Sequence, residues 1–82
     1  MKSDGNDWHE IDGKLVKNYA FGTFAEALAF VNKVGELAEQ VNHHPDISFG
    51  WGYVEISLST HDTKAITNKD KLLADLIDQI QE

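Results

Sequence analysis

The chain's single proline, Pro45, separates two stretches whose hydrophobic patterns differ in period, and that change limits the possible folds more than any other feature. Before it, Phe24, Leu28, Val31, Val34, Ala38 and Val41 recur every three or four residues, the spacing of one buried helical face. After it, Val54, Ile56 and Leu58 alternate with Glu55, Ser57 and Ser59, the period of a strand with one apolar side. Proline cannot continue a helix, and it pushes the residue before it towards extended backbone. The spacing therefore predicts a helix over about 24–42 that ends at the adjacent pair His43 and His44. Thr23 followed by Glu26 fits a capping box at its start.

The flanks complete the pattern. Trp8–Ile11 and Leu15–Phe21 are short β-favouring runs on either side of Asp12-Gly13, a dipeptide suited to a tight hairpin turn. Gly50 and Gly52 around Trp51 predict a turn or bulge that splits the stretch from Ile47 to His61 into two strands, with His61 on the polar face by parity. Thr67 with Asp70 repeats the capping-box pattern, and Leu72, Leu73, Leu76, Ile77 and Ile80 supply the stripe of a closing helix. The expected order is ββαββα. The simplest way to bury both helical stripes is an α+β fold, a four-stranded antiparallel sheet with two helices packed on one face. The other sheet face and at least one strand edge stay exposed. Residues 1–7 are polar and read as a flexible N-terminal segment before a single domain over 8–82.

Composition narrows the function classes. At 82 residues without cysteine, the chain has no disulfide or thiolate to draw on, and a domain of this size buries only about 60% of its unfolded surface. Self-association is an expected source of stability. The formal charge of -7, with no basic run, lacks the footprint that a phosphate backbone requires, so direct nucleic-acid binding is not expected. No stretch has the length of a membrane span or the apolar centre of a secretion signal, so the expected setting is the cytoplasm with no membrane partner.

Three of the four histidines, His43, His44 and His61, fall at predicted element ends, where sites are commonly built. Imidazole titrates near neutral pH, so the set points to proton transfer. The purely structural alternative is that His43 and His44 cap a helix and His61 ends a strand. A three-histidine zinc site is a further alternative, weakened because neighbouring residues do not share a helical face and no H-E-x-x-H pair is present. Glu39 precedes His43 by one helical turn, so its carboxylate is expected beside that imidazole, or else simply solvated. Asp70 reads either as the third residue of a capping box or as an acid of the site. Asp62 fits either role. Trp51 and Tyr53 could wall a flat ring or pack in a core or interface. His9 has no companion and reads as surface.

The run from Glu39 to Asp46, with His43-His44-Pro45 at its centre, then Trp51, then Ser59-Thr60-His61-Asp62, then Thr67 with Asp70, resembles the pterin-4a-carbinolamine dehydratases in content and spacing. Phe24, Ala27, Phe30 and Val31 upstream and Leu73-Ala74 downstream share the likeness, which runs from about Trp8 to Ile80. The resemblance implies a hydro-lyase that eliminates water from 4a-hydroxytetrahydropterin to give the quinonoid dihydropterin, in tetrahydrobiopterin recycling, without metal or organic cofactor. It implies His43, His44 and His61 as the catalytic set. It implies Glu39, Asn42, Pro45, Ser59, Thr60, Asp62 and Asp70 at the substrate, with Glu39 behind His43. The chain departs from the family pattern in three places: Asn42 where Asp is frequent, Lys64-Ala65-Ile66 where a Gly-containing segment is common, and no helix before the tryptophan. The first two are expected to alter affinity or substrate preference, and the third subunit packing.

Relatives on this fold also act as binding modules, as a dimerisation cofactor or an assembly chaperone, so a non-catalytic role is the alternative function. Retention of all three histidines favours the enzyme. The resemblance further implies a homodimer or homotetramer, for which an exposed strand edge offers a route.

Overall fold

Asp12 and Gly13, with φ of 51° and 76°, reverse the chain between β1 (His9–Ile11) and β2 (Lys14–Ala20). Both central residues are left-handed, which matches the twist of the paired strands, and Ile11 stands opposite Lys14. The computed structural model describes residues 8–60 and 62–80. The predicted flexible segment 1–7 and His61 lie outside the described residues.

α1 (Phe24–Val41) begins at the Thr23 cap, whose hydroxyl accepts from the Glu26 amide at 3.1 Å. Glu26 Oε1 reaches back to the Gly22 amide at 2.9 Å, so two amide groups at the helix start are satisfied. β3 (Asp46–Gly50) and β4 (Tyr53–Leu58) form a hairpin that turns at Trp51-Gly52, where Gly52 has φ of 85°. A side chain there would be strained, and a Cβ would approach Phe21 O to 3.2 Å. α2 (Asn68–Ile80) closes the chain.

The strands form one antiparallel sheet in the order β1-β2-β4-β3, with β1 and β3 at the edges. The architecture is the expected α+β arrangement in the expected order. Alternation along β4 puts Val54, Ile56 and Leu58 in the core, where they meet Ala27, Phe30, Val34 and Ala38 of α1 and Leu73, Ala74 and Ile77 of α2. Each fully buried aliphatic side chain stabilises the fold by roughly 1.5–3 kcal/mol. Trp51 and Tyr53 are not part of this core, being 73% and 49% exposed. The Tyr53 ring crosses Gly50, where a Cβ would come within 2.7 Å of it. His9 is exposed, as its isolation in the sequence predicted.

Lys17 faces the helices, buried beneath the last turns of α2, with its ammonium 2.9 Å from Asp78 Oδ1. Trp8 Nε1 donates to the same oxygen at 3.0 Å, which ties the start of the sheet to the end of the helix. Among the described residues no helix is long and apolar enough to cross a membrane.

Candidate active site

The site forms where α1 ends. Asn42 takes the left-handed conformation at φ 55°, its amide donates to Glu39 O at 3.3 Å, and the His43 amide donates to Ala38 O at 3.1 Å. This pair of bonds is the Schellman closure of a helix. Asparagine is one of the few residues other than glycine that enters this region readily. The closure turns the chain sharply before the two histidines, and Pro45 then leads into β3.

That turn sends the two imidazoles to different carboxylates. His43 Nε2 lies 2.5 Å from Asp70 Oδ1, with only 11% of the His43 side chain exposed and none of Asp70. His44 Nε2 lies 2.7 Å from Glu39 Oε2, and both of these side chains are largely in solvent. The expectation that Glu39 stands behind His43 is therefore corrected. The one-turn rule holds within a helix, whereas the left-handed residue at 42 rotates His43 away from Glu39 and leaves His44 there instead.

Asp70 is held from three sides. Its second oxygen accepts from the Thr67 amide at 2.8 Å and from the Thr60 hydroxyl at 3.0 Å, and the two threonine hydroxyls lie 2.6 Å apart. The bond from Thr67 is the reach-back half of the predicted capping box, so Asp70 caps α2 with one oxygen and holds His43 with the other. Burial alone would raise the Asp70 carboxyl, but the hydrogen bonds from His43, the Thr67 amide and the Thr60 hydroxyl outweigh it and hold the group below the usual carboxylate range. An ionised carboxylate only accepts, so the His43 nitrogen facing it carries hydrogen and Nδ1 is left to exchange a proton.

His43 and His44 open onto one hollow of about 220 Å³, lined also by Asn42, Ser59, Thr60, Asp62 and Lys69. Of the expected substrate residues, four line this hollow, namely Asn42, Ser59, Thr60 and Asp62. Glu39 and Asp70 stand behind the histidines, and Pro45 carries the chain from His44 into β3. Trp51 and Tyr53 lie at the far end of the β3–β4 hairpin and do not wall the hollow. Sequence reasoning missed Lys69. Its only signal was its place before Asp70 in the first turn of α2, a turn that Asp70 fixes against the site. Among the described residues no three His, Cys, Asp or Glu side chains converge as a metal site would require, and His61 is outside that set.

The chain is similar to known proteins over nearly all of its length. Residues 1–80 match the family described as pterin 4 alpha carbinolamine dehydratase. A relative from Herpetosiphon aurantiacus that carries the family's name is 51% identical over 73 residues, covering 89% of this chain and 76% of its own. Another from Rubrobacter xylanophilus is 47% identical over 74 residues, covering 89% and 69%. Among solved structures, a transcriptional coactivator/pterin dehydratase from Brucella melitensis superposes with TM-score 0.78 at 25% identity, over 98% of this chain and 79% of that one. A pterin dehydratase-like protein identified as a RuBisCO assembly factor in the alpha-carboxysome superposes with TM-score 0.76 at 29% identity, over 92% and 89%. With residues 1–80 matched by the family and a relative 51% identical over 89% of the chain, the chain belongs to the pterin 4 alpha carbinolamine dehydratase family.

Proposed function

We propose that this protein is an active dehydratase that eliminates water from 4a-hydroxytetrahydropterin, serving tetrahydrobiopterin recycling in the cytoplasm as a homodimer or homotetramer. The observation that carries the reading is the pair of imidazoles on one hollow, one backed by the buried, ionised Asp70 and the other by the exposed Glu39. The reaction breaks the C4a–O bond with its electron pair leaving on oxygen, while the N5 lone pair forms the C4a=N5 bond. One proton must reach the departing hydroxyl and one must leave N5, so the products are water and the quinonoid dihydropterin.

His43 and His44 are the acid and base for these two transfers, with His61 a third participant in binding or proton transfer. Asp70 acts through His43: it holds the ring and supports positive charge on it, as a buried carboxylate does behind a catalytic imidazole. Asn42, Ser59, Thr60 and Asp62 contact the pterin, Pro45 rigidifies the exit of the histidine pair, and Glu39 orients His44. The uncovered edge of β3 provides the surface for self-association.

A binding role without turnover is the second reading, favoured by the solved relative identified as an assembly factor. The rate of 4a-hydroxytetrahydropterin dehydration, measured with purified protein and chelator against the uncatalysed background, separates the two. Acceleration that survives chelation, and that falls at least about a hundredfold in His43→Ala or His44→Ala, is the expected result. No acceleration by folded protein refutes the enzyme.

A further inference from the structure

A threonine stands at the start of each helix, and the two hydroxyls are used differently. At α1 the Thr23 hydroxyl accepts from the amide three residues on, that of Glu26, at 3.1 Å. At α2 the corresponding amide, that of Asp70, donates to the Thr67 carbonyl oxygen at 3.0 Å instead. The Thr67 hydroxyl accepts a longer bond from the Lys69 amide, at 3.3 Å, and stands 2.6 Å from the Thr60 hydroxyl. We propose that Thr67 is a positioning residue for His43, acting through the Thr60 hydroxyl and Asp70. Its consequence for turnover rests on the dehydratase reading given above.

The direction of the hydrogens supports it first. An ionised carboxylate only accepts, so the Thr60 hydroxyl points its one hydrogen at Asp70 Oδ2, 3.0 Å away. Between the two hydroxyls Thr60 is therefore the acceptor and Thr67 the donor. The hydrogens then run one way, from the Lys69 amide to Thr67, to Thr60, to Asp70 Oδ2, while His43 donates to Oδ1 on the other side. The 2.6 Å link lies at the short end for two hydroxyl groups. In such a chain each bond strengthens the next by about 10–30%.

Placement supports it second. Asp70 is fully buried and Thr60 is 9% exposed, so water competes little for these bonds. The backbone fixes Thr60 as well: its amide donates to Ala65 O at 3.0 Å, and its carbonyl accepts from the Lys64 amide at 2.7 Å. The Thr67 donor behind it keeps the Thr60 hydrogen turned to the carboxylate. Among the described residues the titratable group facing Asp70 is His43. With Oδ2 held by Thr60 and by the Thr67 amide, the carboxylate presents Oδ1 to the His43 ring in one orientation. Capping alone does not require the Thr67 hydroxyl to face Thr60. The Thr67 carbonyl already accepts from the Asp70 and Lys71 amides, and the Asp70 carboxylate from the Thr67 amide.

The test is NMR of the intact chain without ligand, reading exchange of the Thr67 hydroxyl proton and titration of the Asp70 carboxyl carbon. The Thr67 proton is expected to exchange with water at least about tenfold slower than that of the exposed Thr23, an effect that a hydroxyl acting only as a capping acceptor does not produce. Thr60→Val is expected to lower the acid dissociation constant of Asp70 about tenfold, the scale of a hydrogen bond to a charged group. Thr67→Val lowers it about two- to fourfold, the share that polarisation supplies. The double variant matches Thr60→Val alone, and Thr67→Ser matches the intact chain. In an active dehydratase Thr67→Val also lowers kcat with KM unchanged, and Thr67→Ser restores it. A Thr67 proton that exchanges as fast as that of Thr23 overturns the proposal without any variant. Additive effects of the two valine changes on the Asp70 titration, a wild-type titration in Thr67→Val, or an unchanged kcat in that variant of an active chain overturns it too. Slow exchange and a shifted titration without turnover of the 4a-hydroxy substrate leave the hydroxyl chain standing and refute the dehydratase instead.

Discussion

Asp70→Asn is the most informative single change, because it keeps the shape of a fully buried side chain and removes only its charge. The carboxylate accepts three hydrogen bonds, from His43, Thr60 and the Thr67 amide. Bonds to a charged group contribute about 1.5–3 kcal/mol each, against about 1 for neutral pairs. An amide oxygen in the Oδ2 position keeps two of the three as neutral bonds. The third must reverse, with the new NH2 donating to His43 Nε2 and forcing the hydrogen to Nδ1. The net loss is about 2–3 kcal/mol, which in a domain of this length lowers Tm by about 10–15 °C.

The same structure sets the pH dependence. Asp70 is held below its unfolded pKa of about 3.9, so its stabilisation is fully present above that value and is lost as pH falls through the folded one. The gap in urea-unfolding free energy between wild type and Asp70→Asn is therefore present at about pH 5 and narrows below about pH 4. If the chain is the dehydratase proposed above, turnover falls by about 10²–10⁴ through the wrong tautomer, with KM for the pterin changing little, because Asp70 does not line the hollow. A gap independent of pH between 7 and 3 refutes the account of Asp70 as the stabilising anion. Wild-type turnover in a folded Asn variant refutes its role behind His43.

Two further changes, at Tyr19 and Asn42, are read by stability. Among the described residues the buried Tyr19 hydroxyl has no hydrogen-bond partner, and burial together with the charge of Asp78 raises its pKa well above 10. Tyr19→Phe is expected to leave stability at pH 7 unchanged or higher by up to about 1 kcal/mol, read by denaturant unfolding. Wild type also loses stability as pH rises past the unfolded tyrosine value of about 10, and the variant lacks that component. A loss above 1 kcal/mol at pH 7 would show that the hydroxyl has a partner. At the end of α1, Asn42→Gly preserves the left-handed closure and keeps Tm within a few degrees, whereas Asn42→Val costs about 1–2 kcal/mol and displaces His43. Equal Tm for the two would refute the backbone role of Asn42.

Most of the fold was legible because period and turn chemistry agreed at each step. Phe24 to Val41 kept one helical stripe, Val54 to Leu58 kept one strand face, and Asp12-Gly13 and Gly52 sat where positive φ was needed. The packing of Trp51 and Tyr53 was less legible, since an aromatic residue beside glycine at a hairpin tip carries no signal of which side it faces. A second hollow, which shares Ser59 with the histidine hollow, was not legible at all. It joins residues 12–14, 46, 59 and 64, which come together only through sheet register and through a left-handed lysine that no propensity announces.

The exchange of partners between the two histidines shows where reading by spacing stops. Counting four residues back from His43 gives Glu39, and inside a continuous helix that count is a contact. One left-handed residue interrupts the count, and a carboxylate 27 residues away takes the place of the near one. The substitution changes the electrostatics of the site. Glu39 is 78% exposed and screened by water, whereas Asp70 has no exposure and three donors, so its charge acts on His43 with little screening. Because Asp70 also caps α2, the imidazole is positioned by the same bond network that starts the closing helix. A domain without disulfides can thereby hold one imidazole of the candidate site rigidly without a separate supporting layer, and any loosening of the start of α2 is felt at His43.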